Sequence, residues 1–191
     1  MTTRAALAIW VVLSALLLAI VARAGVGLHA EAFRAAAPPL ALIDDRGESF
    51  SLPSASHEVV VLTFGYTRCD DECPRMLSRL AALDRAHPDW RGRVKIVFAT
   101  VDPQHDPPAT LRRYLARFDP SFVGATGSPV RVREAVKGYD VEPEPPRDDP
   151  RAHAASITVV DRHGRVAGVV DASLDDRVIG ALIERVVNEP S

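Results

Sequence analysis

Cysteine is scarce in this sequence: two residues in 191, Cys69 and Cys73. A disulfide across so small a loop removes little entropy from the unfolded chain, so stapling is a poor reason to have the pair. Reversible oxidation or metal binding accounts for it better. Basic charge is also short. Of 23 lysines and arginines, Arg4 and Arg23 flank an amino-terminal apolar run, and 23 less 2 leaves 21 against 25 acidic residues in the body. That balance gives no basic face of the kind nucleic acid demands, and excludes that class of partner. Repeats and low-complexity segments are lacking too. With 47% apolar and 25% charged residues the chain is neither disordered nor fibrous. Its length is that of one domain with little to spare.

One long uncharged run is present, residues 5–22. Eighteen residues as a helix would span roughly 27 Å, close to the hydrocarbon thickness of a bilayer. A secretory signal would have a shorter core and a small-residue cleavage site, which Ala22-Arg23-Ala24 fits loosely. The length favours an uncleaved single-pass anchor over residues 1–24. Either way the remainder is exported, since only Arg4 and the free amino terminus favour the cytoplasmic side. The expected location is the cell membrane, with the carboxy-terminal domain on its extracytoplasmic (periplasmic) side. Residues 25–39, Ala-rich and ending in Pro38-Pro39, read as a tether. Residues 40–191 form the folded body.

Within the body, residues 40–43 and 49–52 read as a hairpin across a turn at Asp44-Asp45-Arg46-Gly47. Residues 58–66 (EVVVLTFGY) and 94–101 (VKIVFATV) read as buried strands. Between them an apolar helical period runs through Met76, Leu77, Leu80 and Leu83 to His87-Pro88. Pro107-Pro108 opens a second helix through Leu111, Tyr114, Leu115 and Phe118. A short helix over 130–137 ends at Gly138, read as a left-handed cap. Residues 142–151, with four prolines, form an irregular loop. A hairpin of 156–160 and 166–170 turns at residues 161–164, and a last helix over 175–187 places Val178, Ile179, Leu182, Ile183 and Val186 on one face. The order predicts an α/β fold: a parallel-centred sheet covered on both faces with antiparallel edges. A cysteine pair between the first long strand and its helix is the thioredoxin layout.

If Cys69 and Cys73 share one helical turn, their α-carbons lie about 6 Å apart, within reach of a disulfide or of one soft metal ion. A helix start at Cys73-Pro74 would stabilise thiolates. Asp70, Asp71 and Glu72 between the sulfurs oppose thiolate formation but attract a cation. Asp71 is either a group beside a metal or a helix cap. Met76 belongs to the apolar face of its helix and reads as core. Asp102 and Asp106 suit turn geometry and helix capping. His29, His57, His87, His105 and His163 read as solvated surface.

Phe64-Gly65-Tyr66-Thr67-x-Cys69-x-Asp71-x-Cys73-Pro74 resembles the signature of the SCO/SenC family. The likeness continues in Val101-Asp102-Pro103-x-x-Asp106, and in His153 before Ile157-Thr158-Val159-Val160-Asp161-x-x-Gly164. Three separated motifs in order, with the apolar run, extend it over nearly the whole chain. The resemblance implies a thioredoxin-like domain with an added amino-terminal hairpin and a membrane anchor. It further implies a copper chaperone for cytochrome c oxidase, with Cys69, Cys73 and His153 as ligands of one copper ion. Thiolates suit Cu(I) and imidazole helps retain Cu(II). The implied partner is oxidase subunit II with its dinuclear copper site, alongside an unnamed copper donor. The sequence departs from the usual family pattern at Asp70 and Glu72, both of which add negative charge beside the sulfurs.

Other functions compete. The same cysteines would serve a thiol–disulfide oxidoreductase reducing the oxidase's copper-ligating cysteines, with Cys69, the more exposed, attacking first. That is the one enzymatic role the residues suggest, and it has no need of His153. A zinc site with an open water position, or a copper sensor, would use the same three residues.

Overall fold

A computed structural model of the chain describes residues 34–52, 58–141 and 156–190. The chain divides into two units, residues 1–35 and 36–191, and every strand and helix described belongs to the second. Among the described residues no helix is long and apolar enough to cross a membrane. The apolar run at 5–22, and with it the choice between anchor and signal, lies outside the described residues.

The opening hairpin is β1 (Leu40–Asp44) and β2 (Ser49–Leu52). Its turn is held by the Asp44 carboxylate, which accepts the backbone N–H groups of Arg46 and Glu48 at 2.9 and 2.8 Å. Then follow β3 (Val59–Gly65), α1 (Glu72–Ala86), β4 (Val94–Thr100), α2 (Pro108–Leu115), β5 (Val123–Thr126), α3 (Pro129–Gly138), β6 (Ser156–Val160), β7 (Val166–Asp171) and α4 (Asp176–Val187). The seven described strands form one sheet in the order β2-β1-β5-β4-β3-β6-β7. Strands β3, β4 and β5 are parallel, and every other pairing is antiparallel.

Successive side chains of a strand point to opposite faces, and the two central strands feed two cores. Val59, Val61, Ile96 and Phe98 meet Leu77 and Leu80 of α1, Leu111 and Tyr114 of α2, and Ile179 and Ile183 of α4. Val60, Leu62, Phe64, Val97 and Ala99 face the other way, onto Val132, Ala135 and Val136 of α3. Burial on both faces explains why β3 reads as an unbroken apolar run. Met76 is core, as its spacing predicts, and Thr63 on β3 donates its hydroxyl to the Met76 sulfur at 3.0 Å.

Four expectations need correction. Strand β5 went unread because it is only four residues long and carries Gly124; its burial comes from α2 packing over it. The tether ends earlier than Pro39: Ala36 bridges Arg165, the Ala37 N–H donates to the Gly164 carbonyl at 2.8 Å, and Ala37 is buried. Gly138 is the last residue of α3 rather than a left-handed cap. The Tyr139 hydroxyl donates to the Pro38 carbonyl at 2.9 Å, and the left-handed turn falls on Asp140 at φ +52°. On α4, Val178 is 48% exposed instead of lying in the apolar face, which runs through Ile179, Ile183 and Val186.

At Gly124 a Cβ would stand 2.7 Å from the Leu111 Cβ and 3.2 Å from a Leu115 methyl. Neither helix backbone nor strand can yield that much. Gly124→Ala is expected to lower unfolding free energy by about 1–3 kcal/mol, the usual cost of overpacking a core, read from the urea midpoint at unchanged slope.

Candidate functional site

Strands β3 and β4 end level with one another, Gly65 beside Thr100, and the Val101 N–H donates to the Gly65 carbonyl at 2.8 Å. Both chains leave the sheet at this carboxyl edge, where open parallel sheets place their sites. One exit runs through the cysteine loop into α1. The other runs through residues 101–107 into α2.

Asp106 joins the two exits. Its side chain is fully buried and accepts three hydrogen bonds: from the Thr67 N–H at 3.0 Å, the Thr67 hydroxyl at 2.5 Å and the Thr100 hydroxyl at 2.6 Å. Helix capping is therefore not its role; the position before α2 is Pro107, and no side chain caps that helix. Outside this buried clasp lies a second, exposed one. Arg68 donates to Asp102 at 2.6 Å, and the His105 Nδ1 sits 2.8 Å from the same carboxylate. Burial works against it, but the hydrogen bonds from His105 and Arg68 hold the Asp102 carboxyl below its usual range. His105 is thus exposed but engaged. His87 stacks on Trp90 with ring centroids 4.2 Å apart, and His163 is exposed in the turn between β6 and β7. His29, His57 and His153 lie outside the described residues.

The two cysteines come together without sharing a helix. Cys73 is the second residue of α1, whereas Cys69 precedes the helix, its N–H donating to the Tyr66 carbonyl at 3.2 Å. The Cys73 N–H donates to the Cys69 sulfur at 3.4 Å, and both thiols are free. Their surroundings differ. Cys69 is partly exposed and Cys73 is 5% exposed. Gly65 makes the burial possible: a Cβ there would lie 2.7 Å from the Cys73 sulfur and 2.7 Å from the Phe98 ring. Burial pushes the Cys73 thiol up to about 12, against the lowering influence of the Tyr66 backbone and with a further push from Cys69. The helix start does not create a thiolate here, because desolvation outweighs it.

The acidic residues between the sulfurs are partly spoken for. Arg75 pairs with Asp71, and with Glu72 at 2.9 Å. Asp71 occupies the cap position of α1, yet its carboxylate caps nothing and turns to Arg75. Asp70 is exposed. No cluster of three or more histidine, cysteine or acidic side chains able to hold a metal occurs among the described residues.

Gly65 stands in the first motif of the sequence without a role, and Asp106 reads there only as a turn or capping residue. Tyr114, read there as helix packing, also belongs to the site. Its hydroxyl is buried without a hydrogen-bond partner among the described residues, on the side of the sheet that holds Cys73.

A mixed sheet with parallel β3 and β4, and a cysteine pair where the loop from β3 enters its helix, defines a thioredoxin-like protein. The chain belongs to the SCO1/SenC family, whose model matches residues 30–188. A protein of Stutzerimonas stutzeri called a putative copper-binding protein is 31% identical over 144 residues, 73% of this chain and 71% of that one. An SCO2-like protein of Rickettsia conorii is 28% identical over 130 residues, 65% of this chain and 63% of that protein. The chain thus spans just under two thirds of that relative's length. Among solved structures, copper-bound ScoI of Bradyrhizobium japonicum superposes with a TM-score of 0.69 at 30% identity, covering 80% of this chain and 99% of that one.

Two outcomes follow from this geometry. Asp106→Ala strands two threonine hydroxyls and an N–H, and is expected to cost about 2–4 kcal/mol of unfolding free energy and to speed alkylation of Cys69. For Cys73, a thiol raised on folding holds its proton more tightly in the native state. The contribution of Cys73 to stability is therefore flat below about pH 9, the thiol's ordinary value, and is lost as pH rises toward about 12. In the reduced, metal-free protein Cys73→Ala is expected to flatten that alkaline decline in denaturation curves taken between those limits.

Proposed function

We propose that the protein carries one copper ion on Cys69, Cys73 and His153. It works as a membrane-anchored, extracytoplasmic chaperone that delivers the ion to the dinuclear copper site of cytochrome c oxidase, in subunit II. Membership of the SCO1/SenC family and the likeness to a copper-bound structure support the metal. The donor set suits it, since two adjacent sulfurs favour Cu(I) over harder cations.

The observation that carries the reading is the register of β6 on β3. Thr63 pairs with Ile157, so one step further the chain enters β6 at Ser156 beside Phe64, at the edge where β3 releases the cysteine loop. His153 precedes Ser156 by three residues, a span of at most roughly 10 Å of extended chain. β6 thus begins at the cysteines' end of the sheet, which supports a ligand shortly before it in the chain. Along α1 a shallow groove of about 470 Å³, lined by Asp70, Asp71, Pro74, Arg75 and Asp176 among others, offers room for a partner's segment.

Copper titration tests the reading. The unmodified protein is expected to bind Cu(I) and Cu(II) one to one, with sulfur and nitrogen ligation in the Cu(II) electron paramagnetic resonance spectrum. His153→Ala should lose the nitrogen signature and weaken Cu(II) more than Cu(I). Cys69→Ser/Cys73→Ser should lose both ions. Equal binding by all three proteins would sink the ligand assignment.

A second reading, thiol–disulfide exchange with oxidase cysteines, is favoured by the contact between the Cys73 N–H and the Cys69 sulfur and by the unequal exposure of the two thiols. It needs no histidine. Insulin reduction at the same rate by the unmodified protein and His153→Ala would support it, and no reduction by either would remove it.

A further inference from the structure

Tyr114 carries a buried O–H that no described residue accepts. The residue is 6% exposed, its hydroxyl has no hydrogen-bond partner among the described residues, and its ring is fixed against Phe98 and Phe118 with centroids 5.9 and 5.3 Å apart. A buried donor left without a partner is costly, and native proteins seldom keep one without a reason. Phe98, the ring that supports Tyr114, and the Cys73 sulfur both border the space over Gly65, where a Cβ would stand 2.7 Å from each. Tyr114 and Cys73 share one core, with Cys69 at its margin.

We propose that Tyr114 is a positioning residue of the cysteine pair, its hydroxyl serving as hydrogen-bond donor to sulfur when the pair takes up metal as thiolates. The proposal rests on the copper-binding reading and adds a residue to it. In the metal-free protein both sulfurs are thiols, which accept hydrogen bonds poorly. Binding Cu(I) displaces each ligating thiol's proton to solvent and leaves negatively charged sulfur in a buried place. Charged acceptors make the stronger hydrogen bonds. Tyr114 keeps its own proton throughout and donates it without transferring it. Consistently, burial first and then negative charge on Cys73 and Cys69, once they ionise, push the phenol above its ordinary value. Arg117, stacked on the same ring at 5.6 Å, pushes the other way and does not prevail.

Tyr114→Phe removes the oxygen and keeps the ring. Tyr139→Phe is the control, a phenol lost from the opposite face of the sheet, where its hydroxyl bonds Pro38. In the metal-free state Tyr114→Phe is expected to unfold at the same urea concentration as the unmodified protein or a higher one, since an unsatisfied donor has gone. Loaded with Cu(II), it should show its sulfur-to-copper charge-transfer band at longer wavelength, because sulfur without a donor releases charge more easily. With a competing chelator, its Cu(I) dissociation constant should rise roughly tenfold, the scale of a hydrogen bond to a charged group. Tyr139→Phe should leave band and constant unchanged. A Tyr114→Phe protein whose band and constant match the unmodified protein's would overturn the proposal and leave the copper reading standing. Failure of the unmodified protein to take up copper would overturn both.

Discussion

The loop that carries the cysteines has no ladder or helix of its own between Gly65 and Glu72, so something other than regular hydrogen bonding must fix it. The Asp106 carboxylate does so. A buried polar group is tolerable only when its lone pairs are satisfied, and here two threonines and a backbone N–H converge on it. Those donors come from the far ends of two parallel strands, so one side chain sets the separation of both exits from the sheet. The Thr100 hydroxyl also accepts the Asp102 N–H at 2.9 Å, which extends the clasp into the turn before α2. The position of Cys69, the face of Phe98 offered to Cys73 and the start of α2 that carries Tyr114 all follow from that arrangement.

How much of this could be read from residues alone depends on range. The periods of β3, β4, α1 and α4 are local and strong, and they gave elements within a residue or two of those observed. Strand β5 was hidden because four residues with a glycine carry no period; only the packing of α2 against it makes it a strand. The cysteines were legible by type and spacing, but their shared helix turn was not real, because the loop continues to Asp71 before α1 begins. Asp106 looked like a turn residue because its partner Thr67 lies 39 positions upstream. Tyr114 falls on the apolar stripe of an amphipathic helix, and nothing local separates a phenol that merely packs from one with an unspent donor.

Charge plays a smaller part around the sulfurs than the run Asp70-Asp71-Glu72 suggests. Arg75 sits one turn into α1 and reaches back to Asp71 and Glu72, the geometry that acidic residues at a helix start favour. Exposed pairs of this kind contribute little energy, but they engage two of the three carboxylates with Arg75. Under the proposed copper ligation, selection of the cation would fall to the softness of sulfur rather than to accumulated negative charge.

The difference between the two sulfurs gives any exchange a direction. The Cys73 sulfur lies over the strand end at Gly65, and its burial pushes the thiol up. Cys69 stands at the margin of the same core with part of its surface in solvent. Among the described residues Cys69 is the more open of the two, so on the proposed function a partner's sulfur or metal would meet it first. Release would run the same way in reverse, the incoming group meeting the ligand on the Cys69 side while Cys73 still holds it. One exposed and one sheltered thiol would thus allow a stepwise hand-over in which the bound group is never free in solution. The same asymmetry would order a disulfide exchange, with Cys69 attacking and Cys73 resolving, so burial alone serves both chemistries and only a third ligand can tell them apart.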